Sequence, residues 1–553
     1  MSNTYLPSSH VDNFTRDNLP PEDQLPVFIF DRPEVQYPEL LNAGVELVDK
    51  NIERGFGKNF SVHGRGINGE KSSWTYDELL AKVDQIAHVI TKEMGLVAGN
   101  RILLRGANSP MMAACLLASL KAGVVAVPTM PLLRAAELKQ VIDKAQIKAV
   151  ICDELLESEI SICTNKDSEH FSAQLEKVIL FRSKADNGLE SRMSKYTEPF
   201  KAHPTSRDDV CLIAFTSGTT GKPKGTMHFH RDILAMCDLF PKYILDMKPE
   251  DVVCGTPPIA FTFGLGGLLT FPLRYGASTV LVEKLTPDSL LQTIADFKAT
   301  QCYTAPTFYR QMAPLSSNYN LSSLKHPVAA GEALPDATRQ LWKTATGLEI
   351  TDGIGGTEMI HIYISSAGKE VKRGTIGKVI PGYIAQIVDE NLKPVPPGTL
   401  GKLAVRGPTG CRYLADPRQK DYVKDGWNFP GDTFIMDEDG YFSYQARNDD
   451  MIISAGYNIA GPEVEDVLLK HPAVAECGVI GAPDAERGQV VHAFIVLKSD
   501  YSGSADLVKE LQNFVKESIA PFKYPRQITF MPALPRTETG KLQRFKLRQT
   551  INN

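Results

Sequence analysis

From Trp74 onward, apolar runs of strand length alternate with amphipathic segments of helix length, and this alternation constrains the fold more than any other feature. Ile102 to Leu104, Val124 to Val127, Ala149 to Ile151 and Val178 to Leu180 are the apolar runs, and stretches such as Tyr76 to Glu93 and Ala136 to Ala145 lie between and around them. That order predicts parallel α/β layers with helices on both faces. A chain of 553 residues exceeds one hydrophobic core, so several domain-sized units are expected. Beyond Gly374 the texture changes. Short strands punctuated by Gly and Pro (Ile384 to Val388, Lys402 to Arg406, Gly440 to Phe442) predict a smaller β-rich unit, and an α+β unit follows from about Asp450. Arg16 to Pro38, rich in Pro and acidic residues, is expected to wrap the body as a leader.

Composition removes several function classes. Net charge is −5 with both signs interspersed, so there is no broad basic face for a nucleic-acid backbone. Nine cysteines lie scattered between Cys115 and Cys477 without a CxxC pair or zinc spacing, which argues against a disulfide framework and a structural metal and for a reducing cytosol. The N-terminus lacks a basic region followed by an apolar run, so no signal peptide is expected. The most apolar stretch, Met111 to Val127, is interrupted by Lys121 and Gly123, and reads as a buried helix, a turn and a buried strand instead of a membrane span.

The segment with the most chemistry follows the apolar run Val210 to Phe215. It reads Thr216-Ser217-Gly218-Thr219-Thr220-Gly221-Lys222-Pro223-Lys224-Gly225, with a helical pattern from about Arg231. A strand, a Gly/Thr/Lys loop and a helix form a phosphate cradle, in which backbone N–H groups approach oxygens, hydroxyls donate and lysines add charge. Pro223 stands where a P-loop needs Ser or Thr, so the Walker pattern fails.

This string resembles the signature of the adenylate-forming superfamily, which includes acyl-CoA synthetases, luciferases and peptide-synthetase adenylation domains. Further motifs of that family follow in order. Asp352-Gly353-Ile354-Gly355-Gly356-Thr357-Glu358 resembles its adenine and phosphate motif, which implies Thr357 on the α-phosphate and Glu358 on Mg²⁺. Gly426-Trp427 and Phe429-Pro430-Gly431-Asp432 resemble the segment whose aspartate holds the ribose hydroxyls, and a carboxylate suits that task because it accepts two hydrogen bonds. Arg447-Asn448-Asp449-Asp450 resembles the hinge motif, with Arg447 near the ribose and Asp449 as pivot. Pro535-Arg536-Thr537-Glu538-Thr539-Gly540-Lys541 resembles the C-terminal motif with the catalytic lysine, here Lys541.

The resemblance covers roughly Val45 to Arg548 and implies a large multi-layer adenylation domain over 1–448 and a small mobile α+β domain over 449–553. It implies ATP, Mg²⁺ and coenzyme A, with Lys541, Thr357 and Glu358 catalytic. Thr216, Ser217, Gly218, Thr219, Thr220, Gly221, Lys222, Lys224, Gly331, Glu332, Asp352, Gly353, Ile354, Gly355, Asp432 and Arg447 would serve ATP. Rotation about Asp449 would withdraw Lys541 and bring Gly456 to the path of CoA.

For the acid, Phe261-Thr262-Phe263-Gly264-Leu265-Gly266, Ala330-Gly331-Glu332 and Gly355-Gly356-Thr357-Glu358-Met359-Ile360-His361 resemble benzoate and 2-aminobenzoate CoA ligases. Gly331, Gly355 and Gly356 would leave a thin slot walled by Phe261, Phe263, Thr262 and Ala330, with His361 near a ring substituent. A flat aryl carboxylate is expected, either 2-aminobenzoate or benzoate. Gly356 departs from benzoate-specific relatives, which leaves the ring substituent open. A carrier-protein loader, a ligase for another aryl or medium-chain acid, a luciferase-like oxygenase and a catalytically silent nucleotide sensor share these motifs. No nucleic acid or membrane partner, a cytoplasmic location, and a monomer or homodimer are expected.

Overall fold

The computed structural model describes residues 5–216, 223–447, 450–454, 457–484, 487–537 and 541–551. Two large sheets carry the N-terminal domain. In one, the strands Lys177–Phe181, Ala149–Asp153, Arg101–Arg105, Val125–Thr129 and Val210–Thr216 run parallel, and Lys224–Phe229 closes the edge antiparallel. In the other, six parallel strands, Thr351–Gly355, His326–Ala329, Gln301–Thr304, Val252–Gly255, Ser278–Val282 and Phe60–Arg65, are flanked by antiparallel edges.

Alternation along each strand explains why both sheets need helices on two sides. Ile102 and Leu104 face one core while Leu103 faces another, and Ala149 and Ile151 are likewise separated from Val150 and Cys152. The shared core lies between the sheets and is filled by the helices Tyr76–His88, Pro110–Lys121 and His230–Phe240. Helix Ala135–Ala145 covers the outer face of the first sheet, and Pro287–Phe297 and Asp336–Thr346 that of the second. Local signals start these helices where the sequence places them. Thr75 and Glu78 form a reciprocal cap on Tyr76–His88, and Ser109 caps Pro110–Lys121 with Pro at its first position. Lys121, which interrupts the most apolar stretch, is buried and held by Asp49 at 2.7 Å and Asp84 at 2.6 Å.

Beyond residue 374 an antiparallel sheet of short strands follows, among them Ile384–Val388, Leu400–Arg406, Asp432–Met436 and Phe442–Arg447. The small C-terminal domain packs helices Gly461–Leu468 and Ala505–Ser518 on a sheet containing Val474–Asp484 and Gly488–Leu497. The leader does lie along the body: Val27 and Ile29 donate to the carbonyls of Gly426 and Gly407, and the Tyr37 hydroxyl donates to Asp238 at 2.9 Å. No helix among the described residues is long and apolar enough to cross a membrane.

One expected element differs. The phosphate-loop string does not run from strand into helix, because Lys224–Phe229 forms a second strand paired antiparallel with Val210–Thr216 before the helix starts at His230. Thr226, Met227 and Phe229 sit in a β-rich, apolar run that is buried in the sheet, and this overrides the continuation into helix.

Candidate active site

The hairpin brings its second strand to the site through a neighbour distant in sequence. Residues 412–414 lie along Lys224–Phe229: Met227 N–H donates to the Arg412 carbonyl and Leu414 N–H to that of Gly225, both at 2.8 Å. Tyr413 is thereby pinned beside Lys224. Lys224 Nζ donates to Tyr413 Oη at 2.8 Å, Tyr413 Oη donates to Glu358 Oε1 at 2.5 Å, and the Lys224–Glu358 ion pair closes the triangle at 3.4 Å. Such charge-assisted bonds fix the carboxylate in one orientation. Burial and the adjacent Glu358 push the Tyr413 phenol far up, so it stays a donor.

Thr357 and Glu358 sit on a single 3₁₀ turn, Thr357–Met359, that follows the strand Thr351–Gly355. The chain leaves that turn through Ile360, whose φ of 66° is rare for a β-branched residue. This strain costs of the order of 1–3 kcal/mol, and it turns the chain so that His361 and Glu358 serve different surroundings.

His361 lies in an aromatic box, with ring centroids 4.5 Å from Phe271, 5.6 Å from Phe240 and 5.8 Å from Phe263. Burial pushes its pKa down to about 3, so the imidazole is neutral. Nε2 reaches the Phe263 carbonyl only at 3.4 Å, and Nδ1 has no hydrogen-bond partner among the described residues. Phe261 precedes the helical turn Thr262–Leu265, with Thr262 buried and Phe263 half-buried against Tyr303. The glycines of this run serve close packing. A Cβ on Gly266 would stand 2.4 Å from the His361 ring, and one on Gly267 2.6 Å from that of Tyr303.

On the opposite side, Asp432 and Arg447 are paired residues at the ends of neighbouring strands, with Arg447 Nε 3.7 Å from Asp432 Oδ1. Burial pushes the Tyr363 phenol far up, with Asp432 and Glu358 adding to the shift and Arg447 opposing it. Lys541 comes from the small domain. The Lys541 pKa is lowered, first by desolvation and then by Arg447, against the pull of Asp432 and Glu332. Lys541 is exposed to solvent.

The family model of AMP-binding enzymes matches residues 54–413, and that of the AMP-binding enzyme C-terminal domain matches residues 463–541. The chain belongs to the AMP-binding enzyme family. A benzoate–CoA ligase of Thauera aromatica is 34% identical over 93% of this chain and 97% of its own length. A crystal structure of an anthranilate–CoA ligase in complex with anthranoyl-AMP superposes with a TM-score of 0.87 at 31% identity, over 93% of this chain and 98% of that one. A benzoate–CoA ligase structure from Burkholderia xenovorans LB400 gives 0.82 at 31% identity, over 92% and 100%.

In this AMP-binding enzyme the structure pairs Lys224 with Glu358 and Asp432 with Arg447, and Arg536, five residues before Lys541, pairs with Glu332. Thr216 ends the first hairpin strand. Ser217, Gly218, Thr219, Thr220, Gly221, Lys222, Asp449 and Gly456 lie outside the described residues. Gly331, with φ of 89°, has open space where a side chain would stand, whereas a Cβ on Gly356 would meet Glu358 Oε2 at 3.5 Å, an ordinary contact, and Ala330 beside Gly331 is buried. Gly355 departs from the expected slot. Its Cβ would come within 2.5 Å of the His361 carbonyl, so close backbone approach demands this glycine. Gly353 is similarly backed by Ile362, and Ile354 is half-buried in the main core.

Asp352 also has a structural setting. It is buried, accepts from Gly353 N–H at 2.9 Å, and faces Arg339 Nη2 at 3.8 Å. Burial pushes its carboxyl up to about 7, with Arg339 opposing. A raised carboxyl binds its proton more tightly folded than unfolded, so stability is lost as pH rises from about 4 through 7. Asp352→Asn is expected to flatten that fall by up to roughly 4 kcal/mol, measured as unfolding midpoints in urea between pH 5 and 8.

Tyr413 is the residue that sequence reasoning missed. The only available signal was its place in Cys411-Arg412-Tyr413-Leu414, an apolar-basic segment with no chemistry of its own.

Proposed function

We propose that this AMP-binding enzyme is an aryl acid–CoA ligase acting in two steps on a flat aromatic carboxylate, with 2-aminobenzoate or benzoate as substrate. The observation that carries this reading is the docking of the Lys541 segment on the large domain, where Arg536 pairs with Glu332 at 2.9 Å, while Asp432 and Arg447 stand paired at 3.7 Å. In the first step a carboxylate oxygen attacks the α-phosphorus of ATP, the bond to the β-phosphate breaks, and pyrophosphate leaves. Two anions must meet, so the residues act by positioning and neutralising charge. Lys541 would bridge the carboxylate and α-phosphate, Thr357 would donate to the α-phosphate, and the 216–225 hairpin with Lys224 would hold the outer phosphates. Asp432 would take the ribose hydroxyls. In the second step the CoA sulfur attacks the acyl carbonyl and AMP leaves.

Glu358 fits a Mg²⁺ carried in by the nucleotide. It is one carboxylate, already oriented by Tyr413, and no group of three or more metal-ligating side chains occurs among the described residues. Mg²⁺ usually takes one or two carboxylates together with phosphates and water, and would supply charge neutralisation. Tyr413→Phe is expected to raise KM for ATP by about tenfold, the size of a lost hydrogen bond to a charged group, while KM for the acid stays unchanged in initial-rate kinetics.

The acid side is supported by Phe261, Phe263 and the neutral His361, with open space at Gly331. A planar ring fits walls of this kind better than a flexible alkyl tail. His361 Nδ1 could meet a ring substituent that donates a hydrogen bond, which favours an amino group.

The test is pyrophosphate release with ATP, Mg²⁺ and CoA against 2-aminobenzoate, benzoate, hydroxybenzoates, cinnamates and medium-chain fatty acids, with thioester checked by mass. Highest turnover on 2-aminobenzoate or benzoate supports the reading. Preference for an alkyl acid overturns the aryl pocket, and pyrophosphate without thioester replaces CoA by another acceptor.

A further inference from the structure

The residues on either side of the lysine motif are joined to each other. Arg536 and Leu542 form a β-bridge, Thr537 N–H donates to the Lys541 carbonyl at 2.7 Å, and Lys541 N–H donates back to Thr537 Oγ1 at 3.0 Å. Arg536 therefore moves with Lys541. Its guanidinium joins three pieces of the protein. Nη2 donates to Glu476 on the small-domain strand Val474–Asp484 at 2.8 Å, and Nη1 donates to Glu332 of the large domain at 2.9 Å. The other oxygen of Glu332 accepts from Thr307 Oγ1 at 2.7 Å, which fixes the carboxylate to a large-domain helix.

Among the described residues, Glu332–Arg536 is the one ion pair that joins the two domains. Its side chains expose 15% and 25% of their surface, so water screens the pair less than an ordinary surface bridge. Other cross-domain hydrogen bonds among the described residues are single and weaker in charge, such as Ala337 N–H to Asp466 at 3.1 Å and Arg310 to the Leu469 carbonyl at 3.3 Å.

We infer that Arg536 is a positioning residue that latches the small domain onto Glu332 and so seats Lys541 for the first half-reaction alone. Glu332, taken from sequence as a nucleotide contact, is the large-domain half of this latch. The inference rests on the two-step reading, since a latch that favours one arrangement must be released before the second acceptor reaches the acyl carbon. A planar guanidinium shared by two carboxylates suits the task, because turning the domain breaks the Glu332 bond while Glu476 keeps the arginine ordered.

The test uses the full-length protein. In Arg536→Met and Glu332→Gln, acid-dependent ATP–pyrophosphate exchange is expected to fall by about tenfold, with no further fall in the double variant, because both changes remove one interaction. Thioester formation from supplied aryl-adenylate is expected to stay at the wild-type rate, and Arg536→Lys to recover part of the exchange. Equal loss of both half-reactions, or losses that multiply in the double variant, would overturn the latch.

Hydrogen exchange by mass spectrometry gives a readout independent of turnover. Arg536→Met is expected to speed exchange in peptides covering 332–340 and 464–470, while the strands Val474–Asp484 and Gly488–Leu497 keep their protection. Unchanged interface peptides refute the latch, and loss of protection throughout the small domain shows a folding role instead. If the wild type releases no pyrophosphate with any acid, the functional reading fails and the exchange data still decide the latch.

Discussion

Lys541→Ala is expected to lower acid-dependent pyrophosphate exchange by about 10²–10³-fold, the usual cost of removing one preorganised charge donor from a transition state. Thioester formation from supplied aryl-adenylate should be retained, because in the proposed two-step cycle that step would take place with Lys541 withdrawn. The lowered pKa adds a second mark. Desolvation and Arg447 make the ammonium easier to deprotonate than an ordinary lysine, so exchange should decline at lower alkaline pH than a normal lysine would produce. Lys541→Arg should remove that decline, since a guanidinium does not titrate in this range. Parallel loss of both half-reactions in Lys541→Ala would overturn the division of labour.

Arg412→Met is expected to cause the largest loss of stability. Arg412 and Asp232 expose none of their side-chain surface and meet at 2.7 Å. The guanidinium also lies over Phe229 at 4.0 Å and Phe28 at 4.2 Å, one ring from the hairpin and one from the leader. Removing the cation leaves Asp232 buried with the Phe229 N–H at 2.9 Å, and an uncompensated buried charge costs roughly 3–5 kcal/mol. Thermal melts check this, and adding Asp232→Asn should recover part of the loss. A single variant that melts with the wild type would show that stacking and water already satisfy Asp232.

The layers and motifs were legible for different reasons. Strands such as Ala149–Asp153 are apolar on both faces because helices cover both, so their runs show in the sequence, and Thr75 and Ser109 mark helix starts within one turn. Lys541, Glu358 and Asp432 were reachable through motifs that resemble a family, not through periodicity. What stayed hidden depends on contacts remote in sequence. Nothing local announces that Tyr413 bonds Glu358, 55 residues away, or that Arg536 bonds Glu332, 204 residues away. The second hairpin strand was missed because Lys224–Phe229 is short and adjoins a helix, where a six-residue run fits either state. At Gly355 the sequence shows a missing side chain, and only the structure shows that the His361 carbonyl fills the space.

The left-handed residue Ile360 has a consequence for how such an enzyme can diversify. It separates Glu358, tied to Lys224 and Tyr413, from His361, enclosed by Phe240, Phe263 and Phe271. Two residues of chain thus divide an electrostatic compartment from an apolar one. On the proposed reading, substitutions at His361 or its aromatic neighbours would change which acid is accepted while Glu358 keeps its partners. Nucleotide chemistry would then be insulated from drift in substrate choice, and selection for a new acid would proceed by single steps that each leave a working adenylating enzyme.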